Sequence, residues 1–251
     1  MRRFFTMVEM LVVITIIAIL ASLLSPSLLR SLESARSVAC LSALRQNGVA
    51  LTAYGGDYKS RIPGSQIYGK GGNNRIPWTA ILTDATPRMF APVAGNYIGD
   101  TKSFYCPAGR YPPEGYRGDD AWSSWAYTYG MNALAGPWAS WQGESVERWT
   151  RSLDNNGQNK WFILSAVPSP AKKPLVVDTI DNKNDNVALG WQIWEWQPDK
   201  VWDGWSVHTR HQDKANMWFA DGHTAPVSGP EMVGKYDIKA YSCANGARFG
   251  W

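Results

Sequence analysis

The feature that most constrains this chain is an apolar run near its N-terminus. From Phe5 to Leu24 there are twenty positions, and Glu9 is the only ionisable side chain among them. Twenty helical residues rise about 30 Å, which matches the hydrocarbon thickness of a bilayer. The run therefore predicts a single membrane-spanning helix.

The charges that flank this run predict its orientation. Arg2 and Arg3 precede it, and the positive-inside tendency places such an end in the cytoplasm. A secretory signal peptide also starts with basic residues and an apolar run. The length of the run, the acid near its start and the lack of a small-x-small cleavage site after it disfavour that alternative.

Helical periodicity continues beyond the membrane span. Small and apolar residues recur at helical spacing with charged residues between them, which is typical of an amphipathic helix. The residues of this predicted face are Leu28, Leu32, Ala35, Ala39, Ala43 and Ala50. Pro26 is an interior breaker that can bend a helix, and Gly55-Gly56 is a good stop signal. The pattern predicts one helix about 75 Å long, with a transmembrane part at residues 5–25 and an amphipathic part at residues 26–54.

The rest of the chain, residues 55–251, has a different pattern. Short apolar stretches are separated by Gly, Pro, Asn and Asp, which favours short strands joined by loops. The candidate strands are Trp161–Val167, Pro174–Asp178, Trp191–Trp196, Asn216–Ala220 and His223–Val227. The predicted fold class is α+β, with a long N-terminal helix packed on a β-rich head.

Composition and motifs give no support for catalysis. The 25 Lys and Arg against 21 Asp and Glu leave a net charge of only +4, which does not indicate a nucleic-acid partner. The sequence has no G-x-S-x-G, H-E-x-x-H, P-loop or C-x-x-C motif and no EF-hand spacing. We therefore predict no enzyme, no cofactor, no resident metal and no nucleic-acid partner.

The segment from Phe5 to Ile14 resembles the cleavage and methylation signal of type IV prepilins and type II secretion pseudopilins. The resemblance implies that a prepilin peptidase/N-methyltransferase removes the leader, residues 1–4, and methylates the new N-terminus at Phe5. Phe4 stands where that family usually has Gly before the cut. The resemblance also implies that Glu9 pairs with the α-ammonium of a neighbouring subunit, because an unpaired carboxylate in hydrocarbon costs roughly 3 kcal/mol or more.

A second part of the resemblance lies near the C-terminus. His211 is followed by nine residues and then by Asp221-Gly222, which looks like the H-X9-DG domain of many prepilin-type proteins. The segment from Ala35 to Gln46 also fits that group. The family implies a single-pass protein of the inner membrane, with a cytoplasmic N-terminus and a pilin-like head in the periplasm or at the cell surface.

The residues of the H-X9-DG motif have a structural interpretation and a chemical one. Asp221-Gly222 favours a two-residue hairpin turn with positive φ at both positions. A His211–Asp221 dyad would require the chain to fold back around Gln212-Asp213-Lys214. A metal site drawn from His208, His211, Asp178 or His223 is chemically reasonable, but a packed histidine beside a structural hairpin is favoured over it.

Cysteine usage leads to a separate prediction. An exported head lies where disulfides persist, and three cysteines leave at least one without an intramolecular partner. A Cys40–Cys106 bond, which would join the helix to the head, is favoured over Cys106–Cys243.

Tryptophan is abundant, with 14 residues, several of them in two groups. The groups are Trp122, Trp125, Trp138 and Trp141, and Trp191, Trp194, Trp196, Trp202 and Trp205. Burial in the core is the expected role, and an exposed platform for a polymer is the alternative. The leading functional hypothesis is a structural subunit that assembles with other copies or other pilin-like subunits. The alternative is a membrane-anchored binding module for a polymer or secreted cargo.

Overall fold

A computed structural model of the chain describes residues 6–68, 75–83, 96–99, 101–109, 129–132, 150–152, 160–181, 195–196, 205–243 and 248–249. The long first helix, α1, spans Met7–Asp57 and passes through Pro26 without ending. Thr6 is its N-cap, and the Thr6 hydroxyl accepts a hydrogen bond from the Glu9 amide. The helix and the several sheets that follow it, whose strand pairs are mostly antiparallel, confirm the predicted α+β fold class.

The C-terminal end of α1 differs from the prediction. The helix continues through Gly55-Gly56 and ends at Asp57, because Gly55 is buried against the side chain of Ile62 and tertiary packing outweighs its poor helix propensity. The chain then turns at Lys59 and Ser60, whose φ angles are 56° and 61°. The Ser60 amide donates to the Gly55 carbonyl at 2.7 Å, which closes the end of the helix.

The first half of α1 stands clear of the head. This part is the one candidate membrane-spanning segment among the residues that the structure describes, and none of its apolar stretch is buried inside the molecule. Its large apolar side chains are exposed, with Met7 90% and Leu23 71% accessible. An unpaired apolar surface of this length is what a membrane-spanning segment presents to lipid.

The second half of α1 packs against the head, but only the C-terminal end of the predicted face takes part in this contact. Leu28 and Leu32 are 68% and 47% exposed, and Ala35 and Ala39 are also exposed. The buried residues of the helix are Cys40, Leu44, Asn47, Gly48, Ala50, Leu51, Tyr54 and Gly55. Of the predicted face, Ala50 is buried and Ala43 packs against the core, whereas the four residues nearer the membrane stay exposed. Apolar residues occur around the whole helix near the membrane, so periodicity alone did not select the stripe that contacts the head.

In its described residues, the head consists of short strands and two short helices. The strands are β1 (Arg61–Pro63), β2 (Gln66–Tyr68), β3 (Arg75–Pro77), β4 (Gly130–Asn132), β5 (Thr150–Ser152), β6 (Lys160–Ile163), β7 (Pro174–Val177), β8 (Thr179–Asp181), β9 (Glu195–Trp196), β10 (Trp205–Thr209), β11 (Lys214–Phe219), β12 (Thr224–Ser228), β13 (Tyr241–Cys243) and β14 (Arg248–Phe249). The helices are α2 (Trp78–Leu82) and α3 (Gly229–Lys235), with short 3-10 turns at Thr101–Phe104, Leu164–Ala166 and Pro170–Lys172.

The two largest of the described sheets both contribute to the core. One has the strand order β12-β11-β7-β4-β9 and the other the order β14-β13-β10-β8. The chain passes from the first sheet to the second between β7 and β8, with Asp178 as the single residue between the two strands. It passes back between β10 and β11. The core includes the fully buried Trp78, Phe104, Phe162 and Trp218.

The predicted strands agree with the structure with two exceptions. The stretch Trp161–Val167 is a strand only as far as Ile163 and then becomes a 3-10 turn. In Trp191–Trp196 the last two residues form β9, and residues 191–194 lie outside the described residues. Of the two tryptophan groups, only Trp196 and Trp205 are described, and only as backbone, so their burial stays a prediction.

Candidate functional site

Four residues with metal-binding or catalytic side chains meet where α1 crosses the head. They are Cys40, Cys106, Asp178 and His211, all buried, and one ligand atom from each lies within 4.8 Å of all the others. Cys40 is on α1, and Cys106 follows the 3-10 turn Thr101–Phe104. Asp178 and His211 lie at the two points where the chain crosses between the sheets, so the site joins the helix to both sheets.

Backbone pairing on both sides fixes the position of Asp178. Its amide donates to the Asn216 carbonyl of β11 at 3.0 Å, and its carbonyl accepts from the His208 amide of β10 at 2.9 Å. The Asn216 amide in turn donates to the Asp178 carboxylate at 2.9 Å. A carboxylate held in this way cannot turn out to solvent.

A tight turn fixes the position of His211. Gln212 and Asp213 both have positive φ, at 50° and 61°, and His211 and Lys214 exchange two backbone hydrogen bonds of 3.0 Å. Positive φ at both central residues is the mark of the type I′ hairpin. The chain thus folds back at the place that the dyad hypothesis required.

The short distances join the four side chains into one cluster. The Nε2 atom of His211 lies 3.2 Å from the Cys106 sulfur and 3.4 Å from Asp178 Oδ2. The Cys40 sulfur lies 3.4 Å from Asp178 Oδ1. The hydroxyl of Tyr129 donates to the Cys40 sulfur at 3.1 Å.

Glu33 supports the cluster from outside. Its Oε1 atom lies 3.5 Å from Nδ1 of His211, on the ring edge that faces away from the cluster. Both atoms are buried, and neither forms a hydrogen bond within the described structure. Glu33 is therefore placed to orient the imidazole without belonging to the cluster itself.

Burial and mutual contacts perturb the pKa of each group. Burial raises the pKa of Asp178 to about 7, and the charge of Cys106 acts in the same direction. Burial also raises the pKa of Cys40 well above its ordinary value. Burial on its own would also raise the pKa of Cys106. Hydrogen bonds with Cys40 and His211 and the charge of Arg210 outweigh burial and lower this pKa well below the ordinary value. Burial would lower the pKa of His211, but contact with Cys106 and Asp178 raises it.

Two kinds of chemistry fit this set of side chains. A sulfur 3.2 Å from an imidazole whose other nitrogen faces a carboxylate resembles the geometry of a thiol nucleophile with its base. Cys106 is 0% and His211 2% exposed, so the sulfur and the imidazole are both buried in this structure. Two sulfurs, an imidazole and a carboxylate also form a donor set suited to a thiophilic divalent metal.

The processing and assembly residues lie at the start of α1. Phe4 and Phe5 fall outside the described residues, so the cleavage site stays a prediction. The side chain of Glu9 accepts from the Thr6 amide and the Thr6 hydroxyl, both at 2.8 Å. These contacts form a capping box, which the T-x-x-E spacing of residues 6–9 could have revealed from the sequence.

The H-X9-DG residues do not form one site. His211 contacts Cys106 and Asp178, whereas Oδ1 of Asp221 lies 2.5 Å from Nδ1 of His223. The turn after β11 is also not the expected two-residue type. Gly222 alone has a positive φ there, of 94°, and its amide donates to the Phe219 carbonyl, so the loop has three residues.

The structure brings Cys40 and Cys106 together, with both as free thiols, and a disulfide between them in the exported protein stays a prediction. Cys243 lies in β13, beside Thr209 of β10, and is not in the cluster. Of the residues weighed for a metal, Asp178 and His211 meet, but their partners are cysteines and not His208 or His223. No local spacing signals this set, because its members come from four distant segments.

Comparisons with protein-family models, with curated proteins and with solved structures find no match to this chain. The function of the chain is therefore inferred from its architecture and from the chemistry of its residues.

Proposed function

We propose that the chain is a prepilin-like structural subunit, processed and N-methylated at Phe5, that assembles into a pilus or a type II secretion pseudopilus. The observation that carries the proposal is the division of α1. One continuous helix of 51 residues has an exposed apolar first half and a second half packed into the head. Such a helix can anchor a precursor in the membrane and later pack against copies of itself. The N-terminus is cytoplasmic before assembly, and the head is on the other side of the inner membrane.

The exposed surface of α1 supports assembly beyond the membrane span. Apolar side chains remain accessible on the part of the helix that follows Pro26, including Leu29 at 64% and Val38 at 64%. If the helix served only as an anchor for the head, it would need exposed apolar residues only in the part that lies inside the bilayer. In the proposed filament these side chains pack against neighbouring helices, where burial of each contributes about 1.5–3 kcal/mol at most.

Glu9 has two roles that must be separated experimentally. It caps its own helix through Thr6, and in the proposed assembly its charge pairs with the Phe5 ammonium of another subunit. Glu9→Gln keeps an amide oxygen for the capping box but removes the charge, because Gln also serves at this position. Thr6→Ala removes the cap but keeps the charge.

The test compares filament yield in the native host for wild type, Glu9→Gln, Glu9→Val and Thr6→Ala at matched expression. We expect both Glu9 variants to lose most filaments, and Thr6→Ala to keep most of them, since loss of a cap costs only about 1 kcal/mol. Leader cleavage, checked by mass spectrometry, is the control in all four. Normal filaments from Glu9→Gln would contradict the charge pair, and a wild type without filaments would contradict the assembly itself.

A further inference from the structure

We propose that Cys40, Cys106, Asp178 and His211 bind one Zn²⁺ ion, which fastens the head to the long helix. The site is structural and does not depend on whether the chain forms filaments. Its ligand atoms are the two sulfurs, one carboxylate oxygen of Asp178 and Nε2 of His211. These four atoms come from α1 and from three separate parts of the head.

The distances fit a tetrahedral metal. Zinc bonds of about 2.3 Å to sulfur and about 2.0–2.2 Å to nitrogen or oxygen place the ligand atoms of a tetrahedron roughly 3.3–3.8 Å apart. The separations Cys106 Sγ to His211 Nε2, Cys40 Sγ to Asp178 Oδ2 and His211 Nε2 to Asp178 Oδ2 are 3.2, 3.6 and 3.4 Å. No pair exceeds 4.8 Å, so the ligands need to close by roughly 1–1.5 Å at most.

The surroundings match those of a structural zinc site. Metal-bound histidines usually donate their second ring N–H to a carboxylate, which fixes the tautomer. Glu33 Oε1 lies 3.5 Å from His211 Nδ1, and neither of these two buried atoms has a hydrogen bond in the described structure. Tyr129 donates to the Cys40 sulfur and Asn216 to the Asp178 carboxylate, so two of the ligands already accept supporting hydrogen bonds.

Charge explains why these groups belong together. Without a metal, two thiols, a carboxyl group and an imidazole compete for protons in a buried space, and ionising all three acids there would be very costly. A Zn²⁺ ion offsets two of the three negative charges. The positive charge of nearby Arg210 stabilises the negative charge that is left. Soft sulfur donors favour zinc over magnesium or calcium. The closed set of four protein ligands and the burial of all four leave no open position for catalysis.

A disulfide between Cys40 and Cys106 is the competing state. The disulfide and the zinc ion would join the same two segments of the chain. Zinc, however, needs the two sulfurs as thiolates and also uses Asp178 and His211. The two states therefore differ in metal content, in the alkylation of the cysteines after metal removal and in their response to the loss of His211.

The test measures metal content in the full-length chain, exported in its host and purified in detergent without a polyhistidine tag. We expect one zinc per chain by mass spectrometry of the metal, and its loss in Cys106→Ser and His211→Gln. Cys243→Ser and His223→Gln, which change a cysteine and a histidine outside the cluster, should keep the metal. Replacement of zinc by Co²⁺ should give the visible spectrum of a tetrahedral thiolate site in wild type, which remains informative if a ligand variant fails to fold.

Glu33→Gln gives a gentler test, because Glu33 is partly exposed and does not bind the metal itself. We expect about a 10- to 100-fold loss of zinc affinity in competition with a chelator. Glu231→Gln, the same change at the exposed capping residue of α3, should leave the affinity unchanged. Zinc no higher in wild type than in His211→Gln, or a Cys40–Cys106 disulfide in the exported protein, would overturn the proposal.

Discussion

Gly222 and Gly234 differ in backbone conformation although an added methyl group would meet no atom within 4 Å at either position. Gly222 has φ of +94° in the loop after β11, whereas Gly234 lies in α3. We expect Gly222→Ala to lower the free energy of unfolding by about 1–2 kcal/mol, the cost of a left-handed conformation for an L residue. Gly234→Ala should raise it by about 0.4–1 kcal/mol.

The measurement is urea unfolding of the full-length chain in detergent, followed by tryptophan fluorescence. The two variants add the same methyl group without a clash, so a difference between them reports backbone strain alone. Equal effects at the two positions would contradict a strained turn at Gly222.

Asp221 belongs to the same turn, and its contacts are local. Its Oδ1 atom accepts a hydrogen bond from the His223 amide at 3.2 Å, and the His223 ring stacks on Phe219 with centroids 4.2 Å apart. Asp221→Asn keeps the accepting oxygen, so we expect a loss below about 1 kcal/mol, in the range of one ordinary hydrogen bond. The same unfolding experiment checks this, and a loss as large as that of Gly222→Ala would show that the carboxylate charge is needed.

At the scale of elements, the contact between α1 and β11 depends on a glycine. A Cβ added at Gly48 would lie 2.5 Å from Cδ1 of Trp218, a ring that is 1% exposed in the core. Gly48→Ala should therefore cost about 1–3 kcal/mol, as overpacked cores do, even though alanine is the better helix former.

Gly56→Ala is the matched control for that substitution. Gly56 lies on the same helix, and an added methyl group meets nothing within 4 Å, so we expect a neutral or slightly stabilising effect. Melting temperatures of the two variants in detergent give the comparison. A Gly48→Ala protein as stable as Gly56→Ala would mean that Trp218 does not hold the helix in the described position.

The elements were easier to predict than their faces and ends. The apolar run and its continuation predicted a helix of about the observed length, and alternation predicted β11 and β12 within two residues. The buried face of α1 could not be read from periodicity, since Leu28 and Leu32 fit the pattern but remain exposed. Exposed apolar residues and core residues of α1 have the same spacing, and only the packing of the head determines which of them are buried.

At the scale of the whole molecule, the cluster could not be predicted because folding assembles it. The sequence identified its members separately: Cys40 and Cys106 as a disulfide, and His211 and Asp178 among the residues weighed for a metal without a cysteine. Their proximity follows from two sheet crossings and from the docking of α1, which are long-range features without a local signal. The type I′ turn at Gln212-Asp213 shows the same limit, because neither residue is glycine or asparagine.

The cluster also lies at the junction between α1 and the head, and the orientation of the head depends on this junction. Cys40 lies near the point where α1 first becomes buried, and Asn216 of β11 donates to the Ser37 carbonyl of the helix at 3.2 Å. In the proposed filament the apolar halves of the helices form the shaft. A rigid junction would then fix how each head projects from it.

The most direct test of the proposed function is the N-terminus of the mature protein. Mass spectrometry of N-terminal peptides, on protein isolated from membranes or filaments of the native host, should find a chain that begins with N-methylated Phe5 and lacks residues 1–4. That result would identify a prepilin-type precursor whose apolar helix is retained after processing. A chain that keeps Met1, or one cut after the apolar run beyond Leu24, would contradict the account.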